Sequence, residues 1–226
     1  MDRDQRLLER DTDTRASAVT ETKNMDELSY LSRPPRGAQG SLLNDLHSLN
    51  RQFLQLLLNA DPADSVCGLG ANTMQSLQQL SERELERMAN CPYSLFDLSF
   101  SNPAVWRRVL TELPVVETPE EPFAGATSGA SAFSLAALLY TRQLCQYHDD
   151  MARLVLGMTE DVVRLLASPD LEMLAQCATS GRPPLLARLA EHPLFWSDIC
   201  DFVRDGTRER HLAAHTLGVQ HSAARF

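Results

Sequence analysis

The chain has 226 residues, 43% of them hydrophobic and 23% charged, with a formal net charge of −9. This composition is typical of a globular protein, and no apolar run approaches the ~20 residues that a membrane span needs. The acidic balance disfavours a protein that wraps nucleic acid unaided, because non-specific affinity for DNA comes mainly from Lys and Arg neutralising phosphates. The first residues lack the apolar stretch of a secretory signal, so we expect a cytoplasmic protein.

Polar and helix-breaking residues divide the chain. Residues 1–40 mix charged and hydroxyl side chains with few aliphatic ones and end in a Pro- and Gly-containing run, which predicts a disordered arm. Residues 113–131 are rich in Pro, Gly, Ser and Glu, which predicts a flexible linker. The remaining stretches are predicted to be two helical units, at 41–112 and 132–213, and a flexible tail at 214–226.

A long amphipathic helix starts each predicted unit. The apolar residues of the first helix recur at spacings of three and four, which is the stripe of a narrow, coiled-coil-like seam. The same spacing in the second unit runs through Leu154. We expect these two seams to pair between units or between subunits. The residues of this predicted interface are Leu49, Phe53, Leu56, Leu144, Tyr147 and Met151.

Shorter helices and one extended segment follow the long helix. Ser81 and Glu84 have the spacing of a capping box, which predicts the start of a helix. The alternation of apolar and polar residues over 96–100 allows a short strand. In the second unit, Ser168 and Pro169 are of the residue types that start a helix. The sequence therefore predicts an all-α protein that can include a short strand.

The order of these features repeats along the chain. A Leu-Gly pair ends at Gly70 in the first unit and at Gly157 in the second, and a Pro-x-x-Trp pattern places Trp106 and Trp196 in the last helix of each. We interpret both tryptophans as core anchors, with partner binding as the alternative. Because several matches occur in the same order, a tandem duplication is the better explanation, and two like units would pack as a pseudo-dimer.

The stretch from Leu49 to Phe100 resembles FlhD, the helical subunit of the bacterial flagellar master regulator. The residues that carry the resemblance are Phe53, Leu57, Leu58, Leu69, Gly70, Leu80, Met88, Ala89, Leu98, Ser99 and Phe100. FlhD-like proteins are helical, dimerise, and activate transcription together with a zinc-containing FlhC-type partner that supplies much of the DNA contact. The resemblance therefore implies two FlhD-like units in tandem. It also implies a transcriptional regulator, a co-activator in a complex with an FlhC-like subunit on DNA.

Four arginines are the candidate DNA contacts. Arg107 and Arg108 lie beside Trp106, and Arg182 and Arg188 lie in the second unit. They form the strongest local basic sites for phosphate, although ordinary surface charge is the alternative explanation. This chain departs from the family at the position before each Leu-Gly pair, where the flagellar proteins carry a basic residue and this chain does not. A DNA contact at that position is not expected.

The sequence offers no recognisable catalytic residues, so we do not expect an enzyme. The Gly-rich stretch before Gly70 lacks the Lys-Ser/Thr of a phosphate loop. His211 and His215 have the spacing of two metal ligands, but surface histidines on a tail explain them better, and we predict neither metal nor cofactor. The five cysteines include no C-x-x-C pair and are predicted to be reduced and buried. The alternative function is an interaction protein without a DNA role, such as a secretion-system adaptor or chaperone.

Overall fold

The computed structural model describes residues 38–60, 67–112, 129–192 and 194–205. The elements of the first half are α1 (Ala38–Leu58), α2 (Ala71–Gln78), α3 (Glu82–Ala89), β1 (Phe96–Asp97) and α4 (Pro103–Glu112). The elements of the second half are α5 (Gly129–Tyr147), α6 (Asp149–Leu156), α7 (Glu160–Ala167), α8 (Leu171–Ser180), β2 (Leu186–Ala187) and α9 (Phe195–Asp205). Everything described from Leu42 onward belongs to one compact unit, and residues 38–41 form the start of α1.

The predicted all-α class is confirmed, together with the short strand. β1 lies in the segment where apolar and polar residues alternate, and it pairs antiparallel with β2. Phe96 is opposite Ala187, and Asp97 is opposite Leu186. None of the helices in the described ranges is long and apolar enough to cross a membrane.

Two helices extend into segments that were predicted to be irregular. α1 begins at Ala38, inside the predicted arm of 1–40. α5 begins at Gly129, inside the predicted linker of 113–131. The rest of the arm and of the linker lies outside the described residues, as does the tail at 214–226.

The long helix predicted for the second unit is divided in two. Its stripe continues through Leu154, but the backbone at His148 has φ −151° and ψ 56°, which is not helical. α5 therefore ends at Tyr147, and Leu154 belongs to α6. The side chains of Tyr147 and Leu154 are 70% and 48% exposed, so the apolar spacing at this end of the stripe does not mark a buried face.

Local capping interactions define several helix starts. The Ser81 backbone N–H donates to Glu84 Oε2 at 2.7 Å, and the Ser81 hydroxyl donates to the same oxygen at 2.6 Å, which confirms the predicted capping box. The predicted cap of α8 at Ser168 is wrong. Asp170 caps this helix instead, and its Oδ1 accepts from the Met173 N–H at 2.8 Å. A carboxylate is favoured there because it also meets the positive end of the helix dipole.

The two halves repeat the same order of elements. α1 corresponds to α5, α2 to α7, α3 to α8, β1 to β2 and α4 to α9, with α6 as an additional helix. The first residue of each strand pairs with the second residue of the other, so exchanging the strands leaves the register unchanged. The element order agrees with the tandem duplication inferred from the sequence.

The last helix of each half packs against the other half. α4 contacts α7, and Arg107 Nη2 lies 3.0 Å from Asp161 Oδ2. α9 contacts α2 and α3, and Arg204 Nη2 donates to the Ser76 carbonyl at 3.1 Å. α7 is the equivalent of α2. Each half therefore packs its last helix against the same element of the other half. The stretches predicted as two units therefore interlock.

One hydrophobic core joins the two halves. Three rings meet in it, from α1, β1 and α5: the ring centroids of Phe53 and Phe96 are 6.1 Å apart, those of Phe53 and Phe133 5.5 Å, and those of Phe96 and Phe133 5.1 Å. The Tyr140 hydroxyl of α5 donates to the Leu42 carbonyl of α1 at 3.0 Å. Burying each phenylalanine contributes about 1.5–3 kcal/mol, so this cluster stabilises the contact between the halves.

The cysteines and tryptophans occupy the interior. Trp106 and Trp196 are 0% and 2% exposed, which confirms them as core residues. All five cysteines are free thiols, four of them buried and Cys67 partly buried. Burial raises the pKa of each thiol, to about 11 for Cys67 and about 12 for Cys91. The reactive thiolate is therefore scarce at neutral pH, and these groups act as small apolar side chains.

Candidate functional site

A surface cleft of about 340 Å³ lies between α4 and the turn that follows α8. Its lining residues are Val105, Arg108, Val109, Glu112, Arg182, Pro183 and Pro184. Two of the four arginines predicted to contact DNA are among them, one from each half of the chain. The cleft thus combines two positive charges, one carboxylate and apolar walls.

α4 supplies one wall of the cleft. The Asn102 side chain accepts from the backbone N–H groups of Ala104 and Val105, at 3.1 and 3.2 Å, so this residue caps the helix. Burial of Trp106 fixes which face of α4 points inward. Arg108 and Glu112 then lie one turn apart on the solvent side.

Arg108 and Glu112 are both accessible to solvent. Arg108 Nε lies 3.9 Å from Glu112 Oε2, and the two side chains are 69% and 57% exposed. An exposed pair at this separation is weak, because water screens it and both side chains retain their rotamer freedom. The guanidinium of Arg108 can therefore exchange Glu112 for another anion at little cost.

The turn after α8 supplies the other wall. Gly181 has φ 63°, the left-handed conformation that glycine adopts without strain, and its N–H donates to the Ala178 carbonyl at 3.3 Å. The Arg182 N–H donates to the Cys177 carbonyl at 3.1 Å. Together these two bonds form a Schellman motif, which ends the helix and turns the chain. Arg182 is exposed directly after it, and the next residue, Pro183, is buried.

The other two arginines predicted to contact DNA are engaged within the fold. Arg107 pairs with Asp161 of α7, and both side chains are about half exposed. Arg188 is only 6% exposed, and its Nη1 donates to the Val155 carbonyl at 2.7 Å and to Ser94 Oγ at 3.0 Å. An enclosed guanidinium does not reach a phosphate, so Arg188 is not retained as a DNA contact. It is buried because the pairing of β1 with β2 brings it against Ser94.

The residues of the predicted pairing seam have three different environments. Leu49, Phe53 and Leu144 are buried in the core, at 6%, 0% and 0% exposure. Leu56 and Met151 are partly buried at the edge of the core. Tyr147, at 70% exposure, is on the surface because α5 ends there. At Phe53, α1 contacts the Phe133 ring of α5 in the same chain.

Sequence reasoning did not identify the other residues of the cleft. The run Gly-Arg-Pro-Pro after α8 is typical of a helix end, but it does not reveal that the turn faces α4. Glu112 and Asp161, the partners of Arg108 and Arg107, were also missed. Among the described residues, no group of three or more His, Cys, Asp and Glu side chains is placed to hold a metal ion. His211 and His215 lie outside these residues.

Comparison with known proteins identifies no relative of the chain. No protein-family model, no curated protein and no solved structure matches it.

Proposed function

We propose that this chain is a transcriptional regulator without catalytic activity. It acts as the FlhD-like subunit, a co-activator, of a heteromeric complex in which an FlhC-like partner supplies most of the DNA contact. The observation that carries the proposal is the interlocked repeat. In this repeat, the two halves of one chain share one core and one strand pair, as two copies of a dimerising helical unit would. A dimeric helical subunit is what the resemblance at 49–100 implies.

The charge of the chain supports a partner that binds DNA. With a net charge of −9, the chain gains little from phosphate contacts on its own, since DNA affinity depends on the number of phosphates neutralised by Lys and Arg. Arg108 and Arg182 are the two candidate contacts that face solvent at the cleft. Two solvent-facing arginines are too few for independent DNA binding, so the phosphate contacts of the proposed complex fall to the partner.

A second candidate function is an interaction protein with no DNA role, such as a secretion-system adaptor or chaperone. Two observations favour it. Arg107 is paired with Asp161, and Arg188 is buried, so half of the candidate DNA contacts serve the fold itself. The apolar walls of the cleft are also more typical of a protein contact than of a phosphate contact.

Co-purification followed by a mobility-shift assay separates the two candidates. The full chain is expressed with the products of its neighbouring genes, and any stable complex is tested at low salt on the DNA upstream of its own operon. We expect a shift with the complex and none with the chain alone. A stable complex that gives no shift would overturn the transcriptional role and favour the second candidate.

A further inference from the structure

The corresponding elements of the other half form an equivalent arrangement, and that equivalent of the cleft is closed. There, α9 lies against the segment that follows α3, and the remaining cavity is about 10 Å³, compared with about 340 Å³ for the open cleft. The lining residues of the closed site are Arg87, Met88, Cys91, Tyr93, Leu95, Ile199, Phe202 and Val203. The two copies of one arrangement therefore differ in whether they leave room for a ligand.

The difference comes from substitutions at equivalent positions of the two last helices. Counted from the tryptophan of each helix, Val109 corresponds to Ile199, and Glu112 corresponds to Phe202. Ile199 and Phe202 are 5% and 8% exposed, so their larger apolar side chains fill the closed site. Smaller and charged residues at the same places keep the first cleft open.

The open cleft is suited to a ligand with mixed chemistry. Arg108 and Arg182 attract carboxylates or phosphates, and guanidinium groups bind both with charge-assisted hydrogen bonds. Val105 is half-buried and Pro184 is exposed, so these two residues offer apolar surface, and Glu112 accepts hydrogen bonds. A peptide segment carries groups that match all three features of the cleft: side-chain carboxylates for the arginines, an apolar side chain for the apolar surface and backbone N–H groups for Glu112. A DNA backbone supplies only the negative charge.

We propose that this cleft binds an extended acidic segment of a partner protein. Carboxylates of the segment pair with Arg108 and Arg182, and an adjacent apolar side chain packs against Val105 and Pro184. The volume is within the range of ligand-binding sites, about 300–1,000 Å³, and is enough for a few residues of an extended chain. The proposal deepens the proposed function, because it rests on the protein partner and names the chemistry by which that partner is held.

The first test is a selection of peptides from a random 12-residue phage library on the immobilised full chain. We expect enrichment of sequences with Asp or Glu beside an apolar residue. Binding of a synthetic selected peptide, measured by fluorescence anisotropy, should weaken about tenfold or more in the Arg108→Ala/Arg182→Ala variant, because charge-assisted hydrogen bonds are lost. No enrichment of acidic sequences would overturn the proposal.

Two further variants control for charge and for folding. Arg83→Ala/Arg164→Ala removes the same charge from α3 and α7, at exposed sites outside the cleft, and should bind the peptide as the unchanged chain does. Val109→Ile/Glu112→Phe copies the residues of the closed site and should abolish binding while both arginines remain. Circular dichroism verifies that each variant is folded. If the charge control weakens peptide binding equally, the effect comes from net charge alone and the proposal is overturned.

A DNA arm of the experiment distinguishes a phosphate site from a peptide site. A fluorescent 12-base-pair duplex is titrated with the same variants at the same ionic strength. If duplex binding, and not peptide binding, is lost in Arg108→Ala/Arg182→Ala, the cleft binds phosphate and the proposal is overturned. In the co-purified complex, the proposal predicts loss of the partner from this variant. If instead the proposed function is wrong, the partner stays bound but the complex does not shift the DNA in the mobility-shift assay.

Discussion

The guanidinium of Arg188 occupies the space beside Gly157 that a side chain would need. A β-carbon built on Gly157 would lie 2.6 Å from Arg188 Nη2, closer than such atoms approach in proteins. The same guanidinium donates to the Val155 carbonyl and to Ser94, and its Cζ lies 5.7 Å from the centre of the Tyr93 ring. Arg188 thereby connects the Leu-Gly turn of the second half to residues of the first.

Gly157→Ala is expected to destabilise the protein more than Gly181→Ala does. Both glycines have positive φ, 68° and 63°, so each alanine variant loses about 1–2 kcal/mol from backbone strain. At Gly181 a β-carbon would meet nothing within 4 Å, whereas at Gly157 it would displace Arg188, which costs about 1–3 kcal/mol more. Urea denaturation measures the difference. Equal losses in the two variants would show that the Arg188 contact is easily rearranged.

Asn50→Ala is expected to lower the free energy of unfolding by about 3 kcal/mol, because it leaves several buried polar groups without partners. Asn50 Nδ2 donates to the Ala89 carbonyl at 3.2 Å and to the Tyr93 carbonyl at 2.9 Å. Its Oδ1 accepts from the Leu95 N–H at 2.9 Å, and the side chain is 0% exposed. The control is Gln52→Ala, at an exposed position on the same helix, which should change stability by less than about 0.5 kcal/mol. Similar denaturation midpoints for the two variants would contradict this account.

The equivalent tryptophans should respond differently to replacement by phenylalanine. Trp196 Nε1 donates to the Arg188 carbonyl at 2.9 Å, while Trp106 Nε1 is buried without a hydrogen-bond partner among the described residues. Both variants lose similar apolar volume, but only Trp196→Phe loses a hydrogen bond. We expect it to be less stable than Trp106→Phe by about 1 kcal/mol. The opposite ranking in thermal denaturation would mean that packing, not the indole N–H, distinguishes the two sites.

The capping box should be visible in the titration of Glu84. The hydrogen bonds from the Ser81 hydroxyl and backbone N–H hold the pKa of Glu84 below its ordinary value of 4.5. A carboxyl whose folded-state pKa is depressed stabilises the protein above its ordinary pKa, and that stabilisation is lost as the pH falls through the folded-state value. Ser81→Ala should therefore raise the pKa of Glu84, measured by NMR of its side-chain carboxyl. It should also lower stability at pH 7 more than at pH 3.

A matched variant tests whether the effect on Glu84 is local. Ser76→Ala removes a hydroxyl from α2, outside the capping box, and should leave the pKa of Glu84 unchanged. An unchanged pKa in Ser81→Ala would show that the remaining backbone N–H alone holds the carboxylate. In that case the stability difference between pH 7 and pH 3 should also be the same as in the unchanged chain.

Local signals in the sequence determined much of the secondary structure. The capping box at Ser81, the cap at Asn102 and the apolar stripe of α1 each depend on residues within a turn or two of one another, so spacing alone predicts them. The repeated Pro-x-x-Trp pattern likewise identified two buried tryptophans. These features follow from short-range geometry that holds whatever the rest of the chain does.

Only the tertiary structure decided which of these surfaces meet. The four arginines have the same chemistry in the sequence, yet one is buried by strand pairing, one pairs with α7, and two line a cleft, because each outcome depends on residues from the opposite half of the chain. The break at His148 leaves Tyr147 exposed although the apolar spacing continues through it. Burial and ion pairing are set by long-range packing, which residue spacing along a helix does not encode.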